Sequence, residues 1–245
     1  MYSAVCNDDG SPRGFIPEND PNFDIAREAL RDFSQLEFFF DQIRNDSQKA
    51  EYVLILERIV SDSVLPQNDE QNSPGRDAQA ESFVFGVCKN ADMAPVFEEP
   101  DVTCEVKGKR FGVAVKRIKN LSKLTRRMSE GAVQIHETCQ PGFISVEVTL
   151  ATNPKNRSIV TNMPENDVKR WWKEKMKKLA NQYDEISDKL VRGIFLHEHC
   201  PVRFNTDYKL RSMTYGISTA KNEKEKEEWK KFKDTFFKGL PNLIM

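Results

Sequence analysis

Cysteine, histidine and long apolar runs are scarce in this sequence. It has five cysteines and three histidines among 245 residues. An odd number of cysteines at irregular spacing argues against a disulfide framework and fits a reducing compartment, so we expect a cytoplasmic protein. No apolar run approaches the roughly 18 to 20 residues of a membrane span, and the first ten residues carry no apolar signal-peptide core. We therefore expect no contact with a membrane.

Several signatures of well-known chemistry are also missing. The sequence has no Walker loop and no dinucleotide-binding fingerprint, so we do not expect nucleotide-driven chemistry. No Cys-x-x-Cys pair predicts a zinc site, and no cysteine–histidine pairing beside a glycine-rich turn supports a thiol nucleophile. What is present is a polar chain, 31% charged and 38% hydrophobic, whose 16 phenylalanines help to supply a core.

The net charge is close to zero but is unevenly distributed. A balance of 37 basic and 38 acidic residues excludes a globally basic nucleic-acid binder. The segment 106–127, however, contains nine lysines and arginines and no acidic residue. Such a run attracts a polyanion, although a merely solvated surface is the alternative interpretation. Because the run brackets an apolar strand, some of its charge lies beside a core element, which favours a phosphate-facing surface.

Residues 1–70 are predicted to form an acidic leader and two helices, separate from a domain over 71–245. The apolar face of the first helix is predicted to contain Ile25, Ala29, Phe33, Leu36 and Phe40. A second helix, over 47–65, is predicted to bury Tyr52, Leu56, Ile59 and Val60. The polar segment 67–76 is predicted to be a linker. We expect the N-terminal helices to pack on the core or to mediate assembly with another copy or a partner subunit.

The second part alternates helical and extended patterns. Helices are predicted over 77–90, 122–138 and 165–190, with a closing helix that carries Trp229. Strands are predicted over 102–107, 111–118, 143–148, 193–197 and 213–218. A hairpin is expected at Gly108-Lys109. This order predicts an α/β fold, in which a mixed central sheet is flanked by helices and carries an N-terminal helical extension.

The predicted hairpin brings two charged residues together. Asp101 begins its first strand and Lys116 lies near the end of its second, so antiparallel pairing places both at the same end. A carboxylate there can hold a divalent cation, while an ammonium orients or deprotonates a water and neutralises charge on a phosphate. An ordinary ion pair across the hairpin is the alternative interpretation.

Taken in order, these motifs resemble the PD-(D/E)xK nuclease superfamily, whose fold is restriction-endonuclease-like. The resemblance covers about residues 76–149 and depends on Glu81, Pro100-Asp101, Gly108, Lys116-Arg117, the 132–135 segment with Gln134, and the strand from Gly142. It implies a Mg²⁺- or Mn²⁺-dependent nuclease acting on DNA, with RNA as the second choice. It also implies that Asp101 and Glu81 bind the metal, Lys116 acts on the attacking water and Gln134 donates a positioning hydrogen bond.

One position departs from the family pattern. Where an acid is expected two residues before Lys116, this chain has Ala114, whose methyl group cannot bind a metal. The resemblance implies that the Val115 carbonyl can still be a ligand and that the second acid comes from Glu81. Glu105 is a poorer choice, because it lies four residues further along the strand, about 13 Å from Asp101. Ala114 also leaves open a fold retained without catalysis, or an engineered loss of the acid.

The nuclease interpretation extends to the surface and to biological role. The residues expected to follow the nucleic-acid backbone are Arg117, Lys119, Lys123 and Arg126. Restriction, phage defence or repair is implied by the resemblance alone. A catalytically inactive module that binds nucleic acid or a protein is the main alternative, and a purely structural subunit is the third.

Other patterns favour structure over chemistry. His197 and His199 alternate on one strand face and suggest zinc, but we expect ordinary structural histidines, and Pro201 suggests that this strand ends there. His136 is expected to be a partly exposed helical residue. Trp172 is expected in the core with Trp171 at its rim, and the lysines from 173 to 178 are expected on a solvated face.

Overall fold

The computed structural model describes residues 23–45, 50–61, 73–154, 159–180, 188–204, 210–219 and 223–241. Its helices are α1 (Phe23–Ile43), α2 (Ala50–Val60), α3 (Pro74–Asn90), α4 (Leu124–Glu137), α5 (Thr149–Thr152), α6 (Glu165–Ala180) and α7 (Glu223–Phe236). Its strands are β1 (Val96–Glu98), β2 (Asp101–Val106), β3 (Lys109–Arg117), β4 (Gly142–Glu147), β5 (Ile159–Thr161), β6 (Val191–Phe204) and β7 (Leu210–Thr219). Within these ranges no helix has the length and apolar content that a membrane crossing requires.

The strands form one mixed sheet in the order β1-β2-β3-β4-β6. The first three strands pair antiparallel, while β3–β4 and β4–β6 pair parallel. Both remaining strands pair with β6, β5 in parallel and β7 antiparallel. Helix α4 connects β3 to its parallel neighbour β4, the crossover that the alternating pattern predicted. The predicted α/β class, with a mixed sheet flanked by helices, is confirmed.

The hairpin of β2 and β3 is confirmed within one or two residues. Its strands pair from Val102 with Val113 to Val106 with Lys109. At the turn, Gly108 has φ +74° and Lys107 has φ +52°. Glycine adopts positive φ angles without the steric cost that other residues bear, which explains the strong turn signal in the sequence. The hairpin fixes which residues of β2 and β3 share an end, and therefore where the candidate site lies.

Helix α3 crosses one face of the sheet and is buried along most of its length. Its Phe83, Val84 and Phe85 join one hydrophobic cluster with residues of β2 and β3. Helices α1 and α2 cover α3 from outside and contribute Phe39 and Tyr52 to the same cluster. The N-terminal helices therefore pack on the core of the sheet domain, and α3 is positioned by contacts on both sides.

The predicted buried face of α1 is wrong for two of its phenylalanines. Phe33 is 63% exposed and Phe40 is 44% exposed. The inward face instead carries polar residues that pair with α3. Arg76 donates to the Asp32 carboxylate at 2.6 Å, and the Gln79 side-chain amide donates to Asp32 at 3.0 Å. These long-range pairs satisfy buried polar groups that an apolar periodicity cannot detect. In α2, Val60 is likewise exposed rather than buried.

A second cluster fills the opposite face of the sheet beneath α4 and α6. Trp172 is buried there and Trp171 is exposed, as predicted. Lys175 departs from the predicted solvated face, because it donates at 2.9 Å to Glu198, which is buried. Helix α6 ends at Ala180, and residues 181–187 of its predicted continuation lie outside the described residues.

Two other predicted boundaries change. Pro201 does not end its strand, because β6 continues to Phe204 and Pro201 pairs with Ser212 of β7. The predicted linker over 67–76 lies outside the described residues up to 72, and from Pro74 it belongs to α3. The cysteines of the described part, Cys88, Cys104, Cys139 and Cys200, are free thiols.

The contact between β3 and β4 leaves no room for a side chain at Gly142. A Cβ at this position would lie 2.6 Å from the Gly112 carbonyl oxygen and 3.0 Å from Ile135 of α4. We expect Gly142→Ala to reduce the free energy of unfolding by about 2 to 4 kcal/mol, since backbone must move to accept the methyl group. Urea unfolding of this variant beside the exposed-site control Val133→Ala measures the effect. Equal stability of the two variants would contradict the packing at the strand junction.

Candidate metal and nucleic-acid site

Three groups meet where β2 begins and β3 ends. The Val115 amide donates to Asp101 Oδ2 at 2.6 Å, and Lys116 Nζ donates to the same oxygen at 3.1 Å. Lys116 Nζ also donates to the Val115 carbonyl oxygen at 2.9 Å. Because β2 starts at Asp101, its backbone cannot pair with this part of β3, and the two side chains satisfy the amide and the carbonyl of Val115 instead. The predicted meeting of Asp101 and Lys116 is therefore present.

The pair is shielded from solvent but not sealed. The Lys116 and Asp101 side chains are 11% and 17% exposed. Burial raises the pKa of Asp101 above its usual value, although Lys116 and the Val115 amide both act to lower it. Burial therefore outweighs the stabilisation that Lys116 and the Val115 amide give to the carboxylate.

Glu81 of α3 lies close enough to interact electrostatically with Asp101. Burial is the main cause that raises the pKa of Glu81, and the charge of Asp101 raises it further. The Glu81 side chain is 15% exposed, and Arg58 donates to it at 3.3 Å. The two carboxylates therefore lie near enough for the charge of one to act on the other.

The structure does not bring Gln134 to this group. Helix α4 runs antiparallel to β3 and β4, and its Gly131 packs on Ile144, while its Ile135 packs on Gly142. Gln134 therefore lies toward the start of β4, away from Val146, the residue that pairs with Lys116. Its Oε1 atom is buried and has no hydrogen-bond partner among the described residues. A positioning hydrogen bond from Gln134 to a substrate at Lys116 has no geometric support.

Ala114 is buried on the α4 side of the sheet. It faces Gly131 of α4, where an added Cβ would lie 3.4 Å from the Ala114 methyl group. It pairs with Ile144 and belongs to the second hydrophobic cluster. The position where the family pattern expects an acid is therefore part of the core in this chain. A second carboxylate therefore has to come from another element, and Glu81 of α3 is the one that the resemblance implies.

The four predicted backbone-contacting cations occupy different environments. Arg117 points away from Lys116 and pairs with Glu147 at 3.3 Å and Asp77 at 3.5 Å. Its charge is balanced inside the fold, where it ties α3 to β4. The exposed residues are Lys119, Lys123 and Arg126, of which Lys119 contacts Ser73 and Arg126 pairs with Glu130. A polyanion approaching the end of β3 would meet these three side chains.

A buried polar chain beside Arg117 was not predicted as a unit. Ser145 Oγ lies 3.0 Å from His197 Nε2, and His197 Nδ1 lies 3.0 Å from His199 Nε2. Phe83 of α3 stacks against the His197 ring. The two-residue period of strands could have predicted this chain from the sequence. It places Ser145 and Glu147 on one face of β4 and the two histidines on one face of β6. Both histidines are buried, and His136 is exposed beside Asp188.

The charged groups around this buried polar chain are centred on Glu147. Burial alone would raise its pKa, but the guanidinium charges of Arg117 and Arg31 act against burial, and the pKa is lowered to about 2. Burial lowers the pKa of His197 to about 4 and that of His199 to about 3. Glu147 is therefore ionised at neutral pH beside two neutral imidazoles. Its anion holds Arg117, and Arg117 holds the α3 turn that precedes Glu81.

The donor set at Asp101 suits a hard cation bound in an open site. Across the described ranges, no group of three or more histidine, cysteine, aspartate or glutamate side chains is placed to hold a metal. The oxygens brought together here are Asp101 Oδ2 and the Val115 carbonyl oxygen, and Glu81 lies near enough for its charge to act on Asp101. Mg²⁺ is commonly held by one or two protein carboxylates together with waters and substrate phosphate. These oxygens are of the chemical types that Mg²⁺ or Mn²⁺ takes in proteins.

Comparison of the chain with protein-family models, with curated proteins and with solved structures finds no significant match to any of them.

Proposed function

We propose that this protein is a metal-dependent phosphodiester hydrolase acting on DNA. The observation that carries the proposal is the convergence of the Asp101 carboxylate and the Val115 carbonyl on one cationic nitrogen, Lys116 Nζ, at 3.1 and 2.9 Å. Two oxygens already arranged around a positive charge could serve as two of the ligands of a bound metal cation. Glu81 adds a second carboxylate that is electrostatically linked to Asp101.

Each residue has a chemical role in this proposal. Asp101, Glu81 and the Val115 carbonyl would hold Mg²⁺ or Mn²⁺, which polarises the phosphate and lowers the pKa of a bound water. Lys116 keeps a positive charge at the same place and donates a hydrogen bond to the attacking water or to the developing negative charge. Because a metal would take the Asp101 and Val115 oxygens that now hold Lys116, the ammonium would turn from them toward the attacking water or the phosphate.

The surface near the site supports a polyanionic substrate. Lys119, Lys123 and Arg126 are exposed beyond the end of β3, where a phosphate backbone leaving Lys116 would pass. Such contacts add affinity that is independent of sequence and falls with salt. A role in restriction, phage defence or repair, in the reducing cytoplasm, belongs to the same proposal. RNA is the less favoured substrate.

A second candidate is a nuclease-like module that binds nucleic acid without cleaving it. The observation in its favour is the burial of Ala114, which leaves β3 without a carboxylate before Lys116. A site with one strand acid and one helical acid has fewer metal ligands than the family pattern. This candidate retains the surface cations but predicts no metal binding at Asp101.

Metal binding separates the two candidates. We expect Mn²⁺ at about ten times its Kd to raise the Tm by about 3 °C, because binding to the folded state alone contributes about 1.4 kcal/mol. Asp101→Ala should lose this response, whereas Asp234→Ala, an exposed acid on α7, should keep it. The measurement is differential scanning calorimetry with and without Mn²⁺. Nuclease assays in Mn²⁺ on circular and linear DNA and on RNA then identify the substrate.

If Asp101→Ala gains as much from Mn²⁺ as the native chain, the metal binds elsewhere and the hydrolase proposal fails. If no variant responds and DNA still binds, the non-catalytic candidate is correct.

A further inference from the structure

Glu81 has a basic partner outside the predicted site. Arg58 Nη1 of α2 lies 3.3 Å from Glu81 Oε2. The Arg58 side chain is 46% exposed, so one side of the guanidinium faces solvent. In the charge distribution around Glu81, Arg58 is the group that most lowers the pKa of this carboxyl. Arg58 is therefore the counter-ion of Glu81 in this structure.

The position of Arg58 is set by the docking of α2. Tyr52 and Ile55 are buried residues of this helix. The Tyr52 ring packs edge-on against Phe85 of α3, with ring centroids 5.7 Å apart. Arg58 follows one turn after Ile55, on the part of α2 nearest Glu81. The helix thus presents a guanidinium to the site without burying it.

A divalent cation and Arg58 compete for the same carboxylate. When Glu81 ligates a metal, its oxygens are drawn toward the metal and the ion pair with Arg58 weakens. The released guanidinium, about half exposed, would then have donors to offer to a phosphate in two parallel hydrogen bonds. A phosphate bound to the metal is the anion that would reach this position.

We propose that Arg58 is a substrate-contacting residue that changes partner, from the Glu81 carboxylate in the metal-free protein to a DNA phosphate in the metal-bound protein. This inference rests on the proposed function. It makes the N-terminal helical region part of the site, since α2 supplies one of its phosphate ligands. It also gives the variant Arg58→Gln two effects of opposite sign.

The first effect is on the metal alone. Removing Arg58 leaves Glu81 without its competing cation, so we expect Arg58→Gln to bind Mn²⁺ about 2- to 5-fold more tightly than the native chain, the range of an exposed ion pair. Titration followed by electron paramagnetic resonance measures free Mn²⁺ directly. Arg58→Lys should keep most of the competition. Arg170→Gln, which breaks an exposed ion pair with Asp167 on α6, should bind Mn²⁺ like the native chain.

The second effect is on DNA. With a fluorescein-labelled 20-base-pair duplex in Ca²⁺, we expect Arg58→Gln to bind about tenfold more weakly than the native chain, and the slope of log affinity against log salt to fall by about one. In EDTA the two proteins should differ little, because Arg58 is then engaged by Glu81. Arg170→Gln should match the native chain in both buffers.

The outcomes are distinguishable. Tighter Mn²⁺ binding together with weaker DNA binding only in Ca²⁺ supports the exchange of partners. Unchanged Mn²⁺ affinity in Arg58→Gln, with loss of binding in Asp101→Asn, overturns the role of Arg58 and leaves the hydrolase proposal standing. Weaker binding of both metal and DNA by Arg58→Gln indicates a structural role and also overturns it. Absence of Mn²⁺ binding in every protein, native included, overturns both proposals.

Discussion

Lys116→Ala is expected to lower the rate of phosphodiester cleavage by about 10²- to 10⁴-fold, the range for removing one charged or proton-transferring group from an active site. The Lys116 ammonium contacts both Asp101 and the Val115 carbonyl. Its loss removes the positive charge beside the phosphate and the donor to the attacking water. Initial rates on DNA in Mn²⁺ measure the effect.

The same substitution should leave the fold intact. The amide of Val115 still donates to Asp101, so only the Val115 carbonyl and one carboxylate contact lose a donor. We expect a cost of about 1 to 2 kcal/mol in the free energy of unfolding, which urea denaturation can check. Lys173→Ala, an exposed lysine of α6, is the matched control and should cleave normally. Native rates in folded Lys116→Ala would remove Lys116 from the mechanism.

Acid should destabilise the protein well above the pH at which carboxylates ordinarily protonate. The folded-state pKa values of His197 and His199 are about 4 and 3, because both imidazoles are buried as neutral groups. The unfolded chain binds protons on them near pH 6.5, so the unfolded state holds more protons throughout this window. The stabilisation that comes from keeping these two histidines neutral is therefore fully present above about pH 6.5. It is lost as the pH falls toward 3.

The size of this loss follows from the shifts. Each histidine contributes about 2 to 3 kcal/mol between pH 7 and pH 4, and Glu147, whose pKa is about 2, adds to the loss below pH 4.5. Urea unfolding at pH 7, 6, 5 and 4 measures it. The double variant His197→Gln and His199→Gln should show a much flatter dependence, whereas His136→Ala, an exposed histidine, should behave as the native chain. A native stability that is constant from pH 7 to pH 4 would contradict the buried neutral pair.

Local patterns predicted the fold well where one periodicity dominated. The hairpin, α3 and α4 were predicted within a few residues, because turn chemistry and apolar spacing act over short distances along the chain. The buried face of α1 was not, since Asp32 is paired with Arg76, 44 residues away. Pro201 was treated as a strand end from its chemistry alone. In the structure, β6 continues through it between two neighbouring strands.

In the candidate site, too, contacts set by local strand geometry could be predicted, whereas contacts set by helix packing could not. The pairing of Asp101 with Lys116 could be predicted, because hairpin geometry fixes which residues share an end. Arg117 could have been assigned inward by strand alternation, since Lys116 beside it faces the site. The partnership of Arg58 with Glu81 could not, because it depends on how α2 docks against α3, 23 residues away in sequence. Gln134 was assigned to the site from its place in a motif, but the direction of α4 puts it at the other end of the strands.

The most direct measurement of the cation site is a crystal structure of the protein with Mn²⁺, recorded with anomalous diffraction. We predict an anomalous peak about 2.0 to 2.4 Å from an Asp101 carboxylate oxygen and from the Val115 carbonyl oxygen, with Glu81 turned toward it and Lys116 Nζ displaced. A Mn²⁺ peak elsewhere, with the hydrogen bonds from Lys116 to Asp101 and Val115 unchanged, would contradict a metal site at the end of this hairpin.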